Sequence, residues 1–276
     1  MPESHVIRRA AVAGMFYPDD AGVLKRDVDH LLEAAPPKRR GRPIVAVIVP
    51  HAGYMYSGGT AARAYARLRG ASYETVVVVS PSHREYFDGA SVYPGDAYAT
   101  PLGSIPIDAD LRDALARSCR QVSASVRGHR SEHAVEVQLP FLQRVLGPFR
   151  LLPVVIGNQQ RSVCFDLGEC LGKLLKGRSA LLVASTDLSH YHTAREAGML
   201  DGAFVHLLER GDEEEIMSAL EDRSTEACGG GSVVAVLHAL HTMGSAGVEV
   251  VGRSTSGDVN GDNQSVVGYV SAVAYA

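Results

Sequence analysis

Three segments of the chain carry imidazoles directly after apolar runs. Pro50-His51-Ala52-Gly53-Tyr54 follows Ile44 to Val49, Ser80-Pro81-Ser82-His83 follows Thr75 to Val79, and Ser185-Thr186-Asp187-Leu188-Ser189-His190-Tyr191-His192 follows Ala180 to Ala184. Imidazole nitrogens bind metals and carry protons near neutral pH. Cys228 precedes a triple glycine and the apolar helical stretch Val233 to Leu240, so it stands just before a helix N-terminus, where a thiolate is favoured. Two imidazoles and a thiolate with an open coordination position suit a metal that does chemistry rather than one that only holds a fold. His51, His83 and Cys228 are therefore the candidate ligands. Asp187 is placed to complete the sphere or orient a ligand, and His190 to move a proton to or from a substrate. Any one of these histidines reads equally well as a hydrogen-bonded loop residue; three strand ends together favour a shared site.

Tyr54 and Ser82 flank the ligand positions and are candidate pocket residues, as are Glu132 and His133 in Gly128-His129-Arg130-Ser131-Glu132-His133-Ala134-Val135-Glu136-Val137-Gln138-Leu139-Pro140. That segment reads as a helix start capped by Ser131, with Glu132 and Glu136 one turn apart. The acidic pair suits a polar pocket wall, or simply a helix N-terminus that favours negative charge. There is no GxSxG elbow and no GxxxxGK[ST] phosphate loop. A cysteine nucleophile at Cys228 stays open, though it leaves two histidines without a role. Cys119, Cys164 and Cys170 lie in helical patterns and read as small packing residues, and His5, His30, His206, His238 and His241 read as ordinary surface or cap histidines.

Positioning these groups requires a sheet. The β-branched runs Ile44 to Val49 and Thr75 to Val79, with Leu151 to Ile156 and Ala180 to Ala184, predict buried parallel strands, the third weakened by Pro153; Val248 to Gly252 and Val266 to Ala274 predict late strands. Helical periodicity fills the gaps over 21–34 behind the cap Asp20, and over 60–68, 110–118, 135–146, 161–176 and 194–208. Alternating strands and helices predict an α/β chain, a single domain over 1–276 with a mostly parallel or mixed central sheet flanked by helices on both faces. Ligands then gather beyond the carboxyl ends of the strands. The basic stretch from Pro36 to Pro43 reads as a solvated loop. With 276 residues, 46% of them hydrophobic, the chain supports a large core; 27 basic against 31 acidic side chains (−4) exclude a generally basic nucleic-acid binder. No apolar run approaches the roughly 20 residues that span a bilayer. The first residues lack a secretion-signal pattern, and the four cysteines form no CxxC pair, so a cytoplasmic address is expected.

The motifs resemble the Memo family, the B component of the AmmeMemoRadiSam set. Ala13-Gly14-Met15-Phe16-Tyr17-Pro18, the segments around His51, His83 and Glu132 to Pro140, the Ser185 to Tyr191 block and Cys228-Gly229 match its signatures in order. The resemblance implies the fold of class III extradiol (LigB-type) dioxygenases, with His51, His83 and Cys228 at the metal-ligand positions and Asp187 and His190 as a pocket pair. A thiolate in place of the dioxygenases' carboxylate shifts preference toward copper, zinc or differently tuned iron. The expected function is a metal-binding protein with an oxidoreductase-like Fe(II) or Cu site, zinc staying in range, acting on an unknown small molecule. A binding or scaffold protein that uses the pocket for a peptide or protein partner is the alternative. The resemblance also implies a functional link to radical-SAM and AMMECR1-like proteins; it leaves the metal, the substrate and the oligomeric state open.

Overall fold

A strand that is apolar on both faces must be covered on both faces, and four such strands form the centre of this α/β chain. The computed structural model describes residues 6–35, 42–245 and 247–276, so most of the basic loop, residues 36–41, lies outside the described residues, as does His5. Its elements are β1 (Ile7–Arg8), α1 (Ala21–Ala34), β2 (Ile44–Val49), α2 (Gly59–Tyr65), β3 (Thr75–Pro81), β4 (Ala90–Val92), β5 (Ala97–Thr100) and β6 (Gly103–Pro106). They continue with α3 (Ala109–Ser118), β7 (Val122–Ala124), α4 (Leu139–Val145), β8 (Arg150–Ile156), α5 (Arg161–Leu175), β9 (Ala180–Ser185) and β10 (His190–His192). The last are α6 (Ala194–Arg210), α7 (Glu213–Glu221), α8 (Gly230–Met243), β11 (Val248–Thr255), α9 (Gly257–Asn260) and β12 (Val266–Tyr275).

The main sheet has the order β10-β12-β2-β9-β3-β8-β4-β7, with β11 on β12. Strands β2, β9, β3 and β8 are parallel, while β12 joins β2 and β4 joins β8 antiparallel, so the sheet is mixed. Pro153 sits just outside the β4–β8 ladder, which begins at Val154, a place that suits a residue without an N–H. Alternate side chains feed two cores. Ala46, Ile48, Val77 and Val79 pack with α3, α5, α6 and α8; Val47, Val49, Val76 and Val78 pack with α1, α2 and α4. Asp20 caps α1 through Val23 N at 2.8 Å, as its sequence position predicts. A separate three-stranded sheet, β1-β5-β6, was not legible in the hydrophobic pattern.

The helix expected over 135–146 starts late, at Leu139 after a 3₁₀ turn over Glu136–Gln138. Pro140 explains it: without an N–H it fits the first turn of a helix and not its middle. Glu132 and Glu136 consequently do not share a helix face. Glu136, fully buried, turns away from the pocket wall predicted for it and accepts hydrogen bonds from Arg8, Tyr17 Oη, Ala11 N (2.8 Å) and Val12 N (3.0 Å). Arg8 adds bonds to the carbonyls of His129 (2.9 Å) and Glu132 (2.6 Å). The N-terminal segment is thus tied down over residues 8–17, which places the Phe16 ring 4.7 Å from His133.

Removing one member of a buried ion pair strands the other, at a cost of about 3–5 kcal/mol. Glu136→Leu and Arg8→Ala are each expected to lower unfolding stability by about that amount, read from urea or thermal melts; a loss below ~1 kcal/mol in both would contradict the anchoring role.

His129 is buried between Ser91 Oγ (3.1 Å) and Tyr98 Oη (2.6 Å), and burial pushes its pKa down to about 3. Its folded pKa lies below the unfolded value of about 6.5, so the stability it contributes is complete above that value and is lost as pH falls toward the folded one. His129→Gln should flatten the acid limb of the stability profile between about pH 6 and pH 3 by up to ~1.4 kcal/mol per pH unit. An unchanged slope in paired denaturation titrations would rule out His129 as the titrating group.

Candidate metal centre

The loops after β2, β9 and β3 bring their polar residues to one rim. His51, 2% exposed, follows β2 by two residues, and its backbone N donates to Asp187 Oδ1 at 2.7 Å. Asp187 itself follows β9, where Thr186 N donates to Val49 O at 2.9 Å and continues the β2 pairing past the end of the sheet. His83 follows β3; Ser82 Oγ donates to Glu85 O at 2.6 Å, a tight local turn that presents the ring. Cys228 reaches the same point from the other core because its neighbour is glycine. A Cβ at Gly229 would collide with the Ser185 carbonyl oxygen, so only a glycine lets this backbone lie against the end of β9.

Hydrogen bonding fixes which imidazole nitrogen is available. Ser185 Oγ donates its only proton to Ala134 O (2.8 Å) and accepts from Gln138 Nε2 (2.9 Å). Its remaining contact, His51 Nδ1 at 2.9 Å, must therefore be a donor, which leaves His51 Nε2 unprotonated. His83 Nδ1 lies 2.9 Å from Glu132 Oε1 and donates to it, which fixes the ring and keeps Nε2 clear of the carboxylate. The His51 ring faces the thiol, with Cys228 Sγ 3.1 Å from Nε2, and one donor atom from each of His51, His83 and Cys228 falls within 4.8 Å of the others. A second group, His83, Glu132 and His133, meets the same limit. Its carboxylate already accepts from His83 N, His83 Nδ1, His133 N and Ala134 N, so the first group is the better donor set.

The local charges follow from burial. Burial, then the neighbouring His83, pushes the pKa of His51 well down; burial, then His51, lowers His133 to about 4. Burial raises Glu132, but the bonds and charge of His83 outweigh it and hold the carboxyl at about 2. Asp187 is raised by burial, against the opposing bond from His51 N. Burial and then the Asp187 charge push the Cys228 thiol up, so the helix N-terminus does not produce the free thiolate expected from sequence. A neutral His51, an ionised Glu132 carboxylate on the His83 ring and a thiol waiting for a positive charge suit a thiophilic or borderline cation.

The remaining sequence candidates separate. His133 sits inside the imidazole group, its ring centroid 4.6 Å from His83 and 5.4 Å from His51. Asp187 Oδ2 is 4.0 Å from His51 Nε2. His190, at the start of β10, lines with Cys228 a cavity of about 500 Å³. His192 pairs with Glu226 at 2.9 Å. Tyr54 lies apart: its hydroxyl donates to Val137 O at 2.7 Å, and its ring packs against Tyr17 and Phe141. Ser185 and Gln138 stood inside the sequence motifs without a role; their signal is a serine ending a buried strand and a buried glutamine, polar groups that need partners.

Comparison with known proteins agrees with this layout. A family model of Memo-like proteins matches residues 8–273. The chain is 38% identical over 268 residues to a MEMO1 family protein of Aquifex aeolicus, covering 97% of this chain and 98% of that one. It is 35% identical over 280 residues to one of Methanobrevibacter smithii (97% and 99% covered). The fold is shared with an uncharacterized Escherichia coli K12 protein of known crystal structure, at TM-score 0.53 and 15% identity, over 85% of this chain and 100% of that one. Match length, identity and the ordered motifs agree, and the chain belongs to the Memo family.

Proposed function

We propose that this protein holds one redox-capable cation, iron or copper, between His51 Nε2, His83 Nε2 and Cys228 Sγ, and acts as an oxidoreductase on a small organic molecule. One observation carries the reading: His51, its Nδ1 tied down by Ser185, aims a bare Nε2 lone pair at the Cys228 thiol, and His83, held by Glu132, offers a ring nitrogen within 4.8 Å of both donor atoms. When bound, such a metal supplies one-electron chemistry and polarises a ligand at its open position. The chain's own residues do the rest. Ser185 and Glu132 hold the rings in orientation, Asp187 fixes the His51 backbone, and His190 faces the adjoining cavity, where it is placed to exchange a proton with an occupant. Phe16, against His133, screens the imidazole group on the side of the N-terminal segment. Among the described residues no helix is long and apolar enough to cross a membrane.

Anaerobic loading with Fe(II) or Cu(I), desalting and elemental analysis should return about one metal ion per wild-type chain. The triple variant His51→Ala, His83→Ala, Cys228→Ala should retain almost none, and Ser185→Ala should bind about 10- to 100-fold more weakly through loss of ring orientation. Equal retention by wild type and triple variant would remove the assignment.

A metal-free cysteine hydrolase requires a lowered thiol pKa, and burial drives Cys228 the other way. In metal-free protein at pH 7, iodoacetamide should therefore label Cys228 more slowly than free cysteine, as read by peptide mass spectrometry; labelling at or above the free-thiol rate would revive the hydrolase.

A further inference from the structure

The cavity beside Cys228 has a charge pattern that the metal centre does not explain. It is walled by Leu188, Met217, Leu220 and Ala227 on its apolar side. Its polar groups are nearly all engaged elsewhere. Gln159 donates to Cys228 O (2.7 Å) and accepts from Gly231 N (2.8 Å), and Thr225 Oγ1 donates to Leu200 O (2.7 Å). The Glu221 carboxylate is bonded by Arg161 (2.8 Å) and that of Glu226 by His192 (2.9 Å). Two groups are exceptions: among the described residues neither the guanidinium of Arg223, exposed at the cavity's rim, nor the ring of His190 has a hydrogen-bonding or ionic partner.

The backbone at Arg223 is also unusual. Arg223 (φ 61°) and Tyr191 (φ 63°) are the two non-glycine residues with positive φ among the described residues. Of the two, Arg223 lines this cavity, while Tyr191 follows the lining residue His190 in sequence. The turn around Arg223 is held on both sides, by Ser224 N on Asp222 Oδ1 (2.9 Å) and by the buried Thr225 on α6. Non-glycine residues persist in this conformation only where surrounding contacts enforce it, and they cluster where a ligand is gripped.

We propose that the cavity binds a small organic monocarboxylate, its carboxylate on the Arg223 guanidinium and its apolar body along Leu188, Met217 and Leu220, with the far end directed at Cys228. This deepens the metal-site reading by naming a substrate class, and it rests on that reading only for what happens at the far end. A guanidinium matches a carboxylate with two parallel hydrogen bonds. The cavity volume of about 500 Å³ suits a molecule of this size. Glu221 and Glu226 in the same wall disfavour a second negative charge, which selects the monoanion over a phosphate dianion.

Titration by ligand-detected NMR with hexanoate, hexanamide and butyl phosphate tests this, on both metal-free and anaerobically Fe(II)-loaded protein. Hexanoate should bind at least about tenfold more tightly than hexanamide, the scale of a charge-assisted pair of hydrogen bonds, and more tightly than butyl phosphate. Arg223→Gln should erase the preference over the amide and Arg223→Lys should keep part of it, with metal content unchanged in both. The preference should persist in metal-free protein. Equal binding of acid and amide, or a preference that survives Arg223→Gln, overturns the proposal, as does tighter binding of butyl phosphate. A preference that appears only with metal and ignores Arg223 assigns the carboxylate to the metal instead. A wild type that fails to load metal yet keeps the Arg223-dependent preference removes the metal-site reading and leaves this inference standing.

Discussion

A carboxylate taken out of water has to be surrounded by donors, and the demands of Glu132 organise the site. Its two oxygens accept from His83 N and Nδ1, His133 N and Ala134 N. One side chain therefore joins the end of β3 to the approach to α4, keeps His83 and His133 in contact, and orients the His83 ring. Arg8 donates to the carbonyl of the same residue and to the carboxylate of Glu136, so the N-terminal segment closes over this node. Cutting it would loosen three distant stretches of chain at once.

The electrostatics follow from that packing. Three imidazoles within about 5 Å of one another resist simultaneous protonation, and burial and mutual repulsion keep His51 and His133 neutral. Neutral imidazole is the form that donates a lone pair. The thiol beside them is held protonated by burial and by Asp187, a state that a cation reverses by supplying the missing positive charge. The candidate donor atoms thus lie within reach of one another while the thiol keeps its proton.

Legibility in the sequence tracks how local the signal is. The central strands were readable because unbroken β-branched runs have few other uses, and the histidines stood at their ends. Cys228 was found by its glycines, although its protonation depends on Asp187, 41 positions away and invisible to local pattern. The reading of Glu132 and Glu136 as one helical face failed because Pro140 delays the helix and because each carboxylate is claimed by a partner far along the chain. Helix α7 has no distinctive sequence signal despite the capping Asp212 and three glutamates in its first turn, since a short acidic run also suits a solvated loop. Strands β5 and β6 are four residues each, too short for periodicity to register.

Strand order explains why the site needs residues from β9 at all. The chain lays down β2 and β3 first, and β9 later enters between them. Strands two places apart in a sheet are roughly 9.5 Å apart, yet the rings of His51 and His83 stand with centroids 4.9 Å apart. The loops after β2 and β3 must therefore lean toward each other over the end of β9, and whatever lies there supports both. Ser185 ends that strand and binds the His51 ring; Asp187 follows and binds the His51 backbone; Gly229 packs against the Ser185 carbonyl and so delivers Cys228. A larger residue at 229 would push the thiol away from the rings without touching either histidine, and a nonpolar residue at 185 would free the His51 ring without touching the thiol. The end of β9 is where the two halves of the donor set are held in register.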